Sequence, residues 1–135
     1  MTQDQLTKLL GERGWKVSDI RDRASSCGLS IHATSPAGYL LSIQGGEGLR
    51  SKPRRKTEEY TEVEFAIWKV EGEGTRSSRF IKDSRINQTN DDVYNYETYE
   101  VLMRAIELIE SWIPGNDPPD MLAICRDNAP YRDLN

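Results

Sequence analysis

The chain has 135 residues, 30% of them charged and 36% hydrophobic, and a net charge of −4. That size suits a single domain able to bury roughly two-thirds of its unfolded surface, which excludes dependence on disulfide staples. No apolar run reaches about 18 residues, which excludes a membrane-spanning helix.

In chain order, Thr2 and Gln5 fit a capping box, with Asp4 in the first turn. Leu6, Leu9 and Leu10 then recur at helical spacing, and Gly14 is a natural stop, so residues 3–13 are expected to form an amphipathic helix. Ser18 can cap a second, short helix carrying Ile20, Ala24 and Cys27 on one side and ending at Gly28. A strand starting at Trp15 and Val17 is the alternative. From Leu29 the period becomes two. Leu29, Ile31 and Ala33 alternate with polar residues, "SPAG" interrupts, and Tyr39, Leu41 and Ile43 alternate again, the pattern of a β-hairpin.

Residues 45–57, "GGEGLRSKPRRKT", have no apolar period and read as a long basic connection. Val63, Phe65 and Ile67 mark a strand from about Tyr60 to Val70, and residues 76–82 a shorter edge strand with basic side chains. "DSRINQTNDD" is a polar loop. Residues 98–113 form the strongest helix, capped by Thr98. Its apolar residues make two stripes, leaving Glu100, Arg104, Glu107 and Ser111 as a narrow polar face, so the helix should be buried on two sides. A homodimer seam is the alternative use of such stripes. Residues 114–135 are a polar tail with four prolines. The expected fold is α+β: one domain over 1–135, an antiparallel sheet of about four strands, and an N-terminal and a long C-terminal helix packed on one face.

"LLGERGWKVSDIRDRASSCGLSIHAT" looks at first like a helix-turn-helix opening. That motif needs a third helix for the major groove. Here the stretch in its place, "LSIHATSPAG", alternates with period two and soon reaches Pro36, so the motif is not expected.

The other chemistry-bearing residues are few. Cys27 and Cys125 show no CxxC or Cys/His spacing, so free thiols are expected and no metal site or cofactor. His32 is the only histidine. With Cys27 it could make a nucleophile and base, but no orienting motif accompanies the pair, and an exposed strand histidine is the simpler reading. Asp91 and Asp92 lack EF-hand spacing. Without a catalytic motif the chain is read as a non-enzyme.

Charge is uneven. Residues 1–56 carry a net +5 and residues 57–135 a net −9. Two surfaces follow. Glu58, Glu59, Glu62 and Glu64, with Tyr94 and Tyr96, could meet a basic protein partner, the acids steering and the rings supplying area. Arg50, Lys52, Arg54, Arg55 and Lys56, beside "GGEG", could hold phosphates or nucleic acid. "GGEG" itself fits neither GxGxxG nor a P-loop. A solvated loop neutralised by the glutamates downstream is the third reading.

"LLSIQGGEGLRSKPR", "EVEFAIWK" and "DDVYNYETYEVLMRAIELI" together resemble small uncharacterised accessory proteins of phages and other mobile elements. The likeness spans roughly half the chain. It implies a protein that acts by binding, among them inhibitors of host defence that occupy a host protein's binding surface. We therefore expect a non-catalytic binding protein with a host protein as partner and nucleic acid as the alternative. We further expect a monomer or homodimer with no membrane association. Residues 1–15 hold acids and amides where a signal peptide has its apolar core, so the host cytoplasm is the expected location.

Overall fold

In the computed structural model, which describes residues 1–21, 26–70, 78–81 and 93–112, the capping box forms as the sequence predicts. Gln5 N–H donates to Thr2 Oγ1 at 3.1 Å and Thr2 N–H to Gln5 Oε1 at 3.4 Å, which starts helix α1 (Gln3–Glu12). Leu6 and Leu10 are its buried apolar face. Where a short helix was expected to start at Ser18 and to end at Cys27, both ends are strand: Lys16–Asp19 is β1, paired antiparallel with β2 (Cys27–Thr34) from Lys16↔Thr34 to Asp19↔Ile31, and residues 22–25, with Ala24, lie outside the described residues. The alternative strand starting near Trp15 is the one the fold adopts. The helix-turn-helix is excluded on the same ground, since the would-be recognition segment is β2.

β1 is short, and a side chain finishes its work. Beyond Asp19, Ile20 N–H still donates to Ser30 O at 3.1 Å. The buried Gln3 amide then pairs with the same residue, its Nε2 donating to Ser30 O at 3.0 Å and its Oε1 accepting from Ser30 N at 2.9 Å. A primary amide presents the same donor and acceptor as a peptide group. Gln3 therefore satisfies the β2 backbone and ties α1 to the sheet.

β2 pairs with β3 (Tyr39–Gly46), and β3 with β4 (Glu62–Val70), all antiparallel. β4 has two partners along its far edge: β5 (Ser78–Ile81) opposite Ile67–Val70, and β6 (Tyr94–Thr98) opposite Glu62–Phe65. Six strands result among the described residues, where about four were expected. The additions are β1 and β6. β6 runs straight into helix α2 (Tyr99–Glu110), whose cap is Thr98, accepting from Val101 N.

Odd-numbered residues of the sheet (Ile31, Leu41, Ile43, Val63, Phe65, Ile67) form one continuous core with Leu6 and Leu10 of α1 and Leu102, Ala105, Ile106 and Ile109 of α2. The α2 polar face is as predicted: Glu100, Arg104, Glu107 and Ser111 are exposed, and Val101, Met103 and Leu108 lie half-buried at the core's margin. The fold is α+β, a single domain with both helices contributing to this core. The Pro-containing tail of residues 114–135, Asp91, Asp92, Cys125 and the "EGEG" turn lie outside the described residues.

The two helix ends are tied through Glu110. Arg13 donates from Nε and Nη2 to its carboxylate, and Trp15 Nε1 donates to Oε2 at 2.9 Å. These bonds, Arg13 first, hold the Glu110 carboxyl below its usual range against the opposing effect of burial. A lowered folded value means that the stabilisation is complete above the ordinary carboxylate range and is lost as pH falls through the folded value. Glu110→Gln should cost about 1–2 kcal/mol in denaturant unfolding at neutral pH, because each charge-assisted bond is worth about 1.5–3 kcal/mol and this pair is partly solvated. The gap between variant and parent should close in acid below that range.

Candidate functional site: the loop between β3 and β4

The basic stretch is an anchored structure. It leaves β3 at Gly46 and returns at Glu62, and three groups of contacts fix it. At its start, Gly46 N–H donates to the buried Ser51 Oγ at 3.2 Å, and Ser51 in turn donates to Pro53 O at 2.8 Å, so one hydroxyl spans the turn. Across its base, Lys52 N–H donates to Glu62 O and Thr61 N–H to Lys52 O, both at 2.9 Å. At its end stands Tyr60, with no exposed surface.

Tyr60 is the hub. Its ring lies on Gly45, where a Cβ would sit 2.9 Å from two ring carbons. Its hydroxyl accepts from Thr57 N–H at 3.1 Å and donates to Arg55 O at 2.8 Å. Its backbone N–H donates to Met1 O at 2.8 Å. The loop descends onto β2 at Gly28, the extra residue of a β-bulge between the pairs Cys27↔Gly46 and Leu29↔Gly45. A Cβ on Gly28 would sit 1.8 Å from Thr57 O, so only glycine admits this close approach.

Anchoring divides the charges of the loop and its flanks. Lys52 pairs with Glu62 at 3.2 Å, and Glu64 Oε2 accepts the Arg50 N–H at 3.2 Å. Arg54 caps the Leu49 carbonyl through Nε at 3.1 Å while remaining exposed. Arg55 and Lys56 are exposed beside it. Of the acids, Glu58 and Glu59 are exposed, whereas Glu62 and Glu64 are half-buried against the loop's base.

The tyrosines are placed otherwise than a contact surface needs. Tyr94 is fully buried, stacked on Phe65 with ring centroids 4.7 Å apart, which leaves its ring no face for a partner. Tyr96 is half-buried in the β4–β6 bulge at a left-handed φ of 55°, a costly conformation for a tyrosine, and it directs its N–H to Arg50 O at 2.9 Å. It serves the loop's base. Ser51 and Tyr60 were not among the sequence candidates, and Tyr96 was one only as part of a partner-contact surface. Tyr60 and Tyr96 meet Gly45, Met1 and Arg50 far along the chain, and Ser51 closes a turn between Gly46 and Pro53 that no charge or apolar pattern marks.

Cys27 and His32 are not brought together. Both lie on β2, five positions apart, which is about 16 Å of strand at about 3.3 Å per residue. Burial pushes the Cys27 thiol up, away from the thiolate an activated nucleophile needs. His32 instead meets Trp68 edge-on at 5.6 Å. Cys27 and Gly28 line a polar cavity of about 470 Å³ with Arg21, Lys56, Thr57 and Glu58. Arg21 there is held by Asp19, whose carboxyl its hydrogen bonds keep below the usual range. No group of three or more His, Cys, Asp or Glu side chains is placed to hold a metal ion among the described residues. No helix among them is long and apolar enough to cross a membrane. No family model, curated protein or solved structure matches this chain.

The loop's order should depend on one hydroxyl. Tyr60→Phe leaves the ring on Gly45 but removes the partner of Thr57 N–H, at a cost of about 1–3 kcal/mol in urea unfolding. Gly28→Ala should be at least as costly, because the clash is with backbone. Unchanged midpoints in both variants would mean that the loop is not packed on β2 as described.

Proposed function

We propose that this chain acts by binding, and that its contact element is the anchored loop, which presents Arg54, Arg55 and Lys56 to the phosphate backbone of a nucleic acid. The observation that carries this reading is the division of charge. Glu62 and Glu64 are turned against the loop's base, while Arg54, Arg55 and Lys56 stay exposed at its tip, with Glu58 and Glu59 exposed just after them. Because the loop is held by Tyr60 and Ser51, little conformational entropy remains to be lost when the cations engage a ligand. Arginine gives paired hydrogen bonds to phosphate oxygens, and each phosphate neutralised releases counterions, so binding should weaken steeply with salt.

A protein partner is the second reading, favoured by the exposure of Glu58 and Glu59 next to that tip. It is the function expected of an accessory factor that occupies a basic surface on a host defence protein. It has lost part of its proposed surface, since Tyr94 is in the core and Glu62 is paired with Lys52.

Fluorescence anisotropy with labelled oligonucleotides of about 20 nucleotides, longer than a typical single site, tests the first reading. The parent should bind at low salt. Arg54→Ala/Arg55→Ala/Lys56→Ala should bind more weakly, with a slope of log K against log salt that is shallower by about 2 to 3. No binding by the parent at low salt contradicts the reading. In that case Glu58→Lys/Glu59→Lys should abolish capture of a host protein that the parent retains after nuclease treatment.

A further inference from the structure

The sheet face opposite the core carries a second feature that none of the foregoing uses. Its even-numbered residues align in rows: His32↔Ser42↔Ala66 across β2, β3 and β4, Gln44↔Glu64, and Leu40↔Trp68. The middle of this face has small residues, Ser42 and Ala66, flanked by the half-buried Trp68 on one side and by Gln44 and Glu64 on the other. The result is a trough of about 210 Å³ lined by Ser42, Gln44, Glu64, Ala66, Trp68 and Val93, with Phe65 also contributing. It lies where the partner of β4 changes, between the Phe65↔Tyr94 pair with β6 and the Ile67↔Ile81 pair with β5.

We propose that this trough receives an unpaired nucleobase of a single-stranded nucleic acid, stacked against Trp68, while the loop holds the adjoining backbone. The proposal rests on the reading of the loop given above and specifies its ligand. Three observations lead to it. The trough is smaller than the roughly 300–1,000 Å³ of pockets for drug-sized ligands, so it suits one planar ring. Its walls combine the Trp68 indole, which His32 meets edge-on, with the Gln44 amide, the Ser42 hydroxyl and the Glu64 carboxylate, groups that stack on a base or hydrogen-bond to its edge. It adjoins the base of the loop, because Glu64, which lines it, accepts the Arg50 N–H. A planar ring attached to an anionic chain matches both features together. In a duplex the bases are enclosed in the stack and cannot reach such a trough.

The test compares labelled oligo-dT with a duplex of equal length by anisotropy, at low salt and across a salt titration. Oligo-dT should bind at least about tenfold more tightly than the duplex. Trp68→Ala should weaken oligo-dT binding by about tenfold, the scale of one lost stacking contact, and leave the salt slope unchanged. Trp68→Tyr should restore most of the loss. Ser42→Leu, which fills the trough and keeps the indole, should weaken binding to a similar degree and guards against misfolding of the Trp68 variants. Equal affinity for the duplex overturns the proposal. So does retained oligo-dT affinity in both Trp68→Ala and Ser42→Leu while the triple loop variant loses it, and that result leaves the loop's role intact. Absence of binding to either ligand removes both.

Discussion

The surface described above depends on Tyr60. A large ring with no exposed area stacks on Gly45, and its hydroxyl joins two backbone groups of the loop, Thr57 N–H and Arg55 O. Two strand positions must lack a side chain for this to happen, Gly45 under the ring and Gly28 under Thr57. Burying a tyrosine is favourable only when its hydroxyl finds partners, and here the partners are the loop itself. Core packing and loop conformation are thus a single event, and the loop's cations are held in place as a consequence of burial several residues away.

The electrostatics follow from that anchoring. Five cations between Arg50 and Lys56 would repel one another in a compact loop. At the base, Lys52 pairs with Glu62 and Glu64 sits at the Arg50 amide; at the tip, the exposed Glu58 and Glu59 follow Lys56. The net charge of −4 is therefore a poor guide to this surface, where Arg54, Arg55 and Lys56 are consecutive and exposed and the exposed Glu58 and Glu59 follow them. Exposed single ion pairs contribute little to stability. The value of these contacts lies in setting which charges remain available.

Much of the fold is legible in the sequence where one physical signal dominates. The capping box at Thr2, the alternation of Leu29–Ala33 and Tyr39–Ile43, and the polar stripe of α2 are local patterns, and each maps onto the element it indicates. β6 escapes, and β1 stands only as the alternative to a short helix, because their residues lack those signals. "KVSD" has one apolar residue, and it becomes a strand because β2 needs a partner whose end Gln3 can complete. "YNYET" places the fully buried Glu97 and a left-handed Tyr96 within one short strand, which breaks any alternation, and pairing with β4 imposes its form. For the candidate site, the cations were legible as a charge run. The division between paired base and exposed tip was not, since it arises from contacts between residues distant in the chain. Tyr94 shows the same limit: it stands between Val93 and Asn95 in a largely polar stretch, yet it is buried and stacked on Phe65.

Tyr60 holds the basic loop in one conformation in the free protein. Native-state hydrogen exchange at the Thr57 amide tests it most directly, because that N–H has the Tyr60 hydroxyl as its partner. Protection approaching that of the core amides of β3 and β4 is the predicted result, with opening of the loop requiring displacement of Tyr60 from Gly45. Exchange at the rate of an unprotected amide, while the β3 and β4 amides stay protected, would contradict the account and return the basic run to a solvated connection.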